Sequence, residues 1–187
     1  MKIGVFVGSF NPVHKGHIKI VRDIIDNNYL DIVFIAPTHN YWDKNNLIDL
    51  KHRINMVKFY ETDRIKVLEE FNNLPYTYQL MNEMKKKYKN DEFYLIIGAD
   101  NIITFDKCKT YNELLKFGLI IYKRNDIDIN HYLKALNKTD KVIVIDQVDN
   151  IDISSTKIRQ NINNHEVLKT MLDKEVLDYI IKNNLYK

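Results

Sequence analysis

The turn after the first apolar run reads "VFVGSFNPVHKGHIKIV", Val5 to Val21, and gathers Gly8, Pro12, His14, Gly16 and His17 in one place. The chain holds only 5 glycines and 3 prolines, so this crowding marks the segment for more than a chain reversal. A strand passing into a helix here would aim free backbone N–H groups and the positive end of the helix dipole at one spot, which suits an anion. Gly8 and Gly16 leave space for a bulky anion against the main chain. His14 and His17, three apart, can share a face of the first helical turn. Their ring N–H groups could donate to phosphate oxygens and, protonated, balance developing charge. Two further readings stay open on these residues alone. One histidine could cap the helix while the other packs, the favoured reading of an isolated H-x-x-H. Zinc is the other, although no third and fourth ligand stand out. The glycine spacing of the dinucleotide fingerprint and the lysine of a P-loop are both absent.

A second cluster is "DISSTKIRQNI", Asp152 to Ile162, which reads as a helix start with Ser154 or Ser155 as N-cap. Ser155 and Arg159 are four apart and fall on one helical face. Hydroxyls, free N–H groups and a guanidinium fork at one helix start suit a polyphosphate. An ordinary serine cap beside a surface arginine accounts for the same residues equally well.

The elements that must position these clusters alternate in type. Apolar runs at Ile3–Val7, Ile32–Ile35, Ile65–Val67, Phe93–Ile97, Leu119–Tyr122 and Val142–Ile145 predict strands covered on both faces. Helical stripes lie between them: Ile18, Val21, Ile24 and Ile25; then Leu50, Ile54 and Val57; then Leu80, Met81, Met84 and Tyr88. Val176, Leu177, Ile180 and Ile181 predict a C-terminal helix. The fold expected is α/β: one Rossmann-like domain over residues 1–187, with a doubly wound parallel sheet, helices on both faces and a C-terminal helical segment. Gly8, Pro37 and Gly98 fall at the C-terminal ends of strands, where ligands bind in open α/β sheets. The loops Gly8–His17, Pro37–Lys44 and Gly98–Asn101 therefore share one rim.

Composition narrows the class. At 187 residues, 45% hydrophobic and 28% charged, the chain can bury a substantial core. No apolar run approaches the ~20 residues of a membrane span. Met1-Lys2-Ile3 leads straight into a strand without a signal-peptide pattern, and the single cysteine, Cys108, excludes an internal disulfide framework. Cytoplasmic localisation is the expectation. The formal charge of +3 gives little footing for nucleic acid, and "KKKYK" at 85–89 reads as a solvated helix end where cations complement the dipole.

Together, "GSFNPVHKGH" and "ISSTKIR" resemble the nucleotidyltransferase superfamily with H-x-G-H and S-T-x-I-R motifs. "PYTYQLMNEMKKKY" followed by "FYLIIGADNI" is similar to the bacterial nicotinate-nucleotide adenylyltransferases, and the resemblance runs from about Lys2 to Arg159. It implies attack of the nicotinate mononucleotide 5′-phosphate on the α-phosphorus of ATP, giving deamido-NAD and pyrophosphate, with Mg²⁺ arriving on the ATP phosphates. Carried over by position, the catalytic group is His14, His17 and Arg159. ATP would meet Gly8, Ser9, Phe10, His14, Gly16, His17, Gly98, Asp100, Ser154, Ser155, Thr156 and Arg159. Thr77 would approach the mononucleotide with Lys44, Trp42, Cys108 and Tyr111, and Arg53 would assist phosphate binding unless it is simply a solvated helix residue.

The chain departs from the family pattern twice. Cys108 stands where the family usually has the Trp of the nicotinate pocket, and Trp42-Asp43-Lys44 replaces Pro-His-Lys after the second strand. Trp42 or Tyr111 could supply the missing aromatic surface, and Cys108 itself is expected to be a small buried residue. Nicotinamide mononucleotide and phosphopantetheine remain alternative acceptors, and a nucleotide-binding regulator is the alternative outside enzymes. The partners expected are ATP and nicotinate mononucleotide, with no nucleic acid and no membrane; homo-oligomerisation is left open.

Overall fold

Side chains of alternate parity on each strand go to opposite faces of one sheet, as a period of two requires. The computed structural model describes residues 1–38, 47–71, 73–108, 110–123, 127–138, 140–146 and 153–187. Its elements run β1 (Lys2–Gly8), α1 (Lys15–Asp26), β2 (Ile32–Pro37), α2 (Leu50–Lys58), β3 (Ile65–Val67), α3 (Thr77–Lys87) and β4 (Glu92–Gly98). There follow α4 (Ala99–Ile102), a 3-10 turn (Phe105–Lys107), α5 (Tyr111–Leu114), β5 (Gly118–Lys123), α6 (Ile129–Ala135), β6 (Val142–Asp146), α7 (Ser155–Gln160), α8 (His165–Met171) and α9 (Lys174–Lys182). All six expected strands are present.

The strands pair in parallel in the order β3-β2-β1-β4-β5-β6. Phe6, Val33, Ile35, Tyr94, Ile96, Ile120 and Tyr122 face α1, α2, α8 and α9. Ile3, Val5, Ala36, Phe93, Leu95, Leu119 and Ile121 face α3 to α6. Both layers are apolar, which is why the strands read as continuous hydrophobic runs rather than as alternating ones. Gly4 lies on the first face because a Cβ there would meet the Leu30 and Ile96 side chains.

The helical stripes land with three differences, the first on α2, where Ile54 and Val57 are buried but Leu50 at its start is only half-buried. Ile18, Val21, Ile24 and Ile25 are buried on α1, and Leu80, Met81 and Met84 on α3, but Tyr88 is the C-cap of α3 rather than part of its stripe. On α9, Val176, Leu177 and Ile180 are buried while Ile181 is 43% exposed, because it sits past the edge of the stripe. Lys85, Lys86 and Lys87 do occupy the last turn of α3 and are exposed. Among the described residues no helix is long and apolar enough to cross a membrane.

The order of strands reverses between β1 and β4. Chain connections leave those two strands in opposite directions, so their carboxyl ends part and leave a crevice. Both glycine-marked turns of the sequence open onto it.

Candidate active site

Three segments build the crevice. After β1 the chain turns through Ser9–Val13, with the Asn11–Pro12 peptide cis and Phe10 in the left-handed region at φ 44. The Phe10 ring is buried, at 2% exposure, and packs edge-on against Phe6 at 5.4 Å and His17 at 5.0 Å between ring centroids. Gly8 accommodates this ring: a Cβ there would come within 3.1 Å of it. The space at Gly8, expected for an anion, is thus partly taken by Phe10.

Helix α1 then starts with His14 as N-cap in extended conformation. The His14 N–H donates to Nδ1 of His17 at 3.3 Å. His17 thereby holds the position that Glu or Gln takes in a capping box. An Nδ1 that accepts a hydrogen bond leaves the proton of the neutral ring on Nε2, a donor. The two imidazoles stack at 3.6 Å between centroids and 27° between planes. Capping and phosphate donation are therefore compatible, through different nitrogens of one ring. His14 is 2% exposed, Gly16 is buried in the first turn, and Lys15 turns away to donate to the Lys169 carbonyl at 2.7 Å.

The cleft has a volume of about 310 Å³. Gly8, Ser9, Phe10 and His17 line it from β1 and α1, and Gly98 and Asp100 from the opposite lip. Gly98 ends β4 and caps α4, and a Cβ on it would strike the Asp100 carboxylate, so glycine is what lets that carboxylate fold back over the strand end. Sequence reasoning missed part of the lining: Ile20, Ile96, Asn101 and Tyr122. Ile20 and Ile96 belong to core-facing rows and carried no separate signal. Tyr122, at the end of β5, donates to Asp23 Oδ2 at 3.0 Å.

The second cluster closes on the first. Ser154 caps α7 by accepting from Lys157 N at 3.2 Å. Ser155 Oγ donates to the Pro12 carbonyl at 2.9 Å, and Arg159 Nη1 donates to the Asn11 carbonyl at 2.7 Å. Arg159 Nη2 also reaches Thr156 Oγ1 at 3.2 Å. Residues more than 140 positions apart in the chain thus meet on the loop that carries His14.

Arg53 requires a correction. It is neither a solvated helix residue nor turned to the crevice: at 1% exposure it donates through Nη1 to the Ser9 carbonyl at 2.7 Å and through Nε to the Ile48 carbonyl at 3.1 Å. Burial lowers its pKa from the usual guanidinium value. The reason is geometric, since a guanidinium fork on α2 joins the Ser9 carbonyl of that loop to the Ile48 carbonyl just before the helix.

The mononucleotide side is less assembled. Thr77 opens α3 behind Tyr76, and Tyr76 and Tyr78 stack at 5.9 Å. Tyr111 opens α5 and packs on the core below it. Cys108, expected to be buried, is exposed, with Sγ 3.4 Å from Thr110 Oγ1. The 3-10 turn before it buries Phe105 and leaves the next residues outside. Thr77, Cys108 and Tyr111 do not line the cleft beside His17. Trp42 and Lys44 lie outside the described residues.

Residues 5–161 match the sequence profile of the cytidylyltransferase-like family. A protein of Clostridium perfringens named "probable nicotinate-nucleotide adenylyltransferase" is 33% identical over 203 residues, covering 100% of this chain and 98% of that protein. One of the same name from Flavobacterium johnsoniae is 36% identical over 197 residues and is matched along 100% of both chains. The fold superposes on Plasmodium falciparum nicotinic acid mononucleotide adenylyltransferase complexed with NaAD at a TM-score of 0.83, with 24% identity over 99% of this chain and 97% of that one. The same enzyme complexed with APC gives a TM-score of 0.80. At such identity the structural matches speak for the fold.

Proposed function

The chain belongs to the cytidylyltransferase-like family, and within it to the nicotinate-nucleotide adenylyltransferases, and from that membership we propose that its cleft joins ATP to nicotinate mononucleotide. A 5′-phosphate oxygen attacks the α-phosphorus of ATP in line, pyrophosphate leaves, and deamido-NAD forms in one displacement. The observation that carries this reading is the meeting of two motifs on one loop: Ser155 and Arg159 of α7 hold the carbonyls of Pro12 and Asn11, directly before the stacked His14 and His17.

Each side chain then has a task. His17 donates from Nε2 to a phosphate oxygen where negative charge grows, and the start of α1 adds its aligned N–H groups. His14, stacked beneath, fixes the ring plane and shares the contact with phosphate. Arg159 carries five N–H donors, so its contacts with Asn11 and Thr156 leave others to face the β- and γ-phosphates, beside Ser154, Ser155 and Thr156. Gly98 and Asp100 meet the ATP ribose across the cleft, Gly8, Ser9 and Phe10 shape the nucleotide wall, and Gly16, buried behind that lining, lets the first turn of α1 approach the ATP phosphates. Thr77, Lys44, Trp42, Tyr111 and Cys108 serve the mononucleotide.

The donor set fits Mg²⁺ as part of the ATP substrate rather than as a resident ion. Of the cleft-lining residues named above only Asp100 bears a carboxylate, and Mg²⁺ favours phosphate oxygens and retained waters over dedicated protein cages. It would neutralise the triphosphate charge that the histidines and Arg159 then meet. Residues 1–187 act in this reading as one nucleotidyltransferase domain.

Pyrophosphate release tests it. With ATP and Mg²⁺, nicotinate mononucleotide should give turnover well above that with nicotinamide mononucleotide or phosphopantetheine. Preference for either of the latter would reassign the acceptor, and silence with all three would overturn the transferase reading.

A further inference from the structure

The loop that carries His14 is held from a direction that neither motif accounts for. Asn11 is 2% exposed, and its side-chain oxygen accepts the Ile48 N–H at 3.3 Å and the Tyr186 hydroxyl at 3.0 Å. Tyr186 is the penultimate residue, 175 positions from Asn11. The chain reaches it through a Schellman turn at the end of α9: Leu185 N bonds to the Ile180 carbonyl at 3.0 Å, Asn184 N to Ile181 at 3.1 Å, and Asn184 has φ 51. Asparagine tolerates the left-handed region, but Tyr186 also adopts it, at φ 65, where a bulky side chain is rarely found. Such an outlier persists only where its surroundings over-determine it. Here they do. The ring packs at the margin of the core under α9, the hydroxyl reaches Asn11, and Arg53 and Arg159 flank it, each holding the same loop by a carbonyl.

Tyr186, Arg53 and Arg159 thus clasp residues 9–11 from the segment after α9, from α2 and from α7. Arg159 belongs to the proposed phosphate site and Arg53 to the underlying helix; Tyr186 is not one of the residues that line the cleft. We infer that Tyr186 is a positioning residue, a C-terminal strut that sets the Asn11–His14 loop and through it the triphosphate half of the ATP site. The inference rests on the ATP reading given above. It separates the two halves of that ligand, because Gly98 and Asp100, proposed for the ribose, stand on β4 and α4 at the opposite lip and not on the loop that Tyr186 holds.

Tyr186→Phe removes only the hydroxyl and keeps the packed ring, and deletion of residues 186–187 removes the strut. Calorimetric titration with a non-hydrolysable ATP analogue and with AMP, beside a thermal melt, reads the effect. Tyr186→Phe should weaken the ATP analogue and slow turnover, each by about 10-fold, in line with the sensitivity of catalysis to sub-ångström placement. AMP affinity and the melting profile should hardly move, and the deletion should exceed Tyr186→Phe in the same direction. Unchanged affinity for the ATP analogue, or equal losses for ATP analogue and AMP, would overturn the strut. So would a wild-type chain that binds neither nucleotide. If wild type binds the analogue but releases no pyrophosphate with any acceptor, the transfer reading fails while the ratio of ATP-analogue to AMP losses still decides the role of Tyr186.

Discussion

His17 accepts the backbone N–H of His14 through Nδ1 at 3.3 Å while its ring lies 3.6 Å from the His14 ring. One contact selects the tautomer and the other fixes the plane, so Nε2 is a donor with a single orientation. In the proposed reaction this arrangement makes a helix cap serve also as a preorganised phosphate contact.

Replacing His17 by Ala separates the two roles. Turnover should fall ~10²-fold or more, as for loss of a donor aimed at transition-state charge. Stability should fall only by about 1 kcal/mol, the worth of a lost cap, or roughly 2–4 °C in Tm for a chain of this size. Steady-state kinetics beside a melt checks both, and a variant with near-normal turnover would return His17 to capping alone.

Arg53 should show the opposite balance. Arg53→Met keeps the apolar stem but leaves the Ser9 and Ile48 carbonyls without their donor. The expected cost is about 2–4 kcal/mol from urea unfolding, since buried acceptors lose charge-assisted bonds. If Arg53 instead contacted phosphate directly, the Michaelis constant for ATP would rise with little loss of stability, contrary to this assignment.

Trp42, the only tryptophan, is proposed for the acceptor side. Trp42→Ala should raise the Michaelis constant for nicotinate mononucleotide about 10-fold and leave that for ATP unchanged, because an aromatic stack contributes on the order of 0.5–1.5 kcal/mol beyond its buried area. An unchanged constant for the mononucleotide would remove Trp42 from the pocket and leave Tyr111 as its aromatic residue.

Tyr60 supplies a pH signature of the C-terminal packing. Its hydroxyl donates to Asp173 Oδ2 at 2.8 Å, and burial, then that hydrogen bond, pushes its ionisation far above the ordinary phenol range. A folded-state pKa raised above the unfolded value contributes stability that is whole below about pH 10 and is lost as pH climbs further. Thermal melts of Tyr60→Phe should therefore decline less steeply above pH 10 than those of wild type, from a lower starting Tm. Parallel declines would contradict the assignment.

Legibility followed the range of the interactions. The six strands could be read because both faces of the sheet are covered, so each strand is a plain apolar run. The turn at Gly8–His17 and a serine cap at Ser154 or Ser155 could be read because scarce residue types cluster within a few positions. What escaped depends on contacts between distant residues: Arg53 on Ser9, 44 positions away, and Tyr186 on Asn11, 175 away. Cys108 was misplaced for another reason, since a three-residue 3-10 turn has no periodicity from which to infer its buried side.

Transfer of the adenylyl group is the most direct measurement. With ATP labelled at the α-phosphorus, Mg²⁺ and nicotinate mononucleotide, the account predicts label in the dinucleotide product, unlabelled pyrophosphate, and the same product formed ~10²-fold more slowly by the folded His17→Ala chain. Label recovered as AMP, or held on the protein, or remaining in ATP, would contradict it.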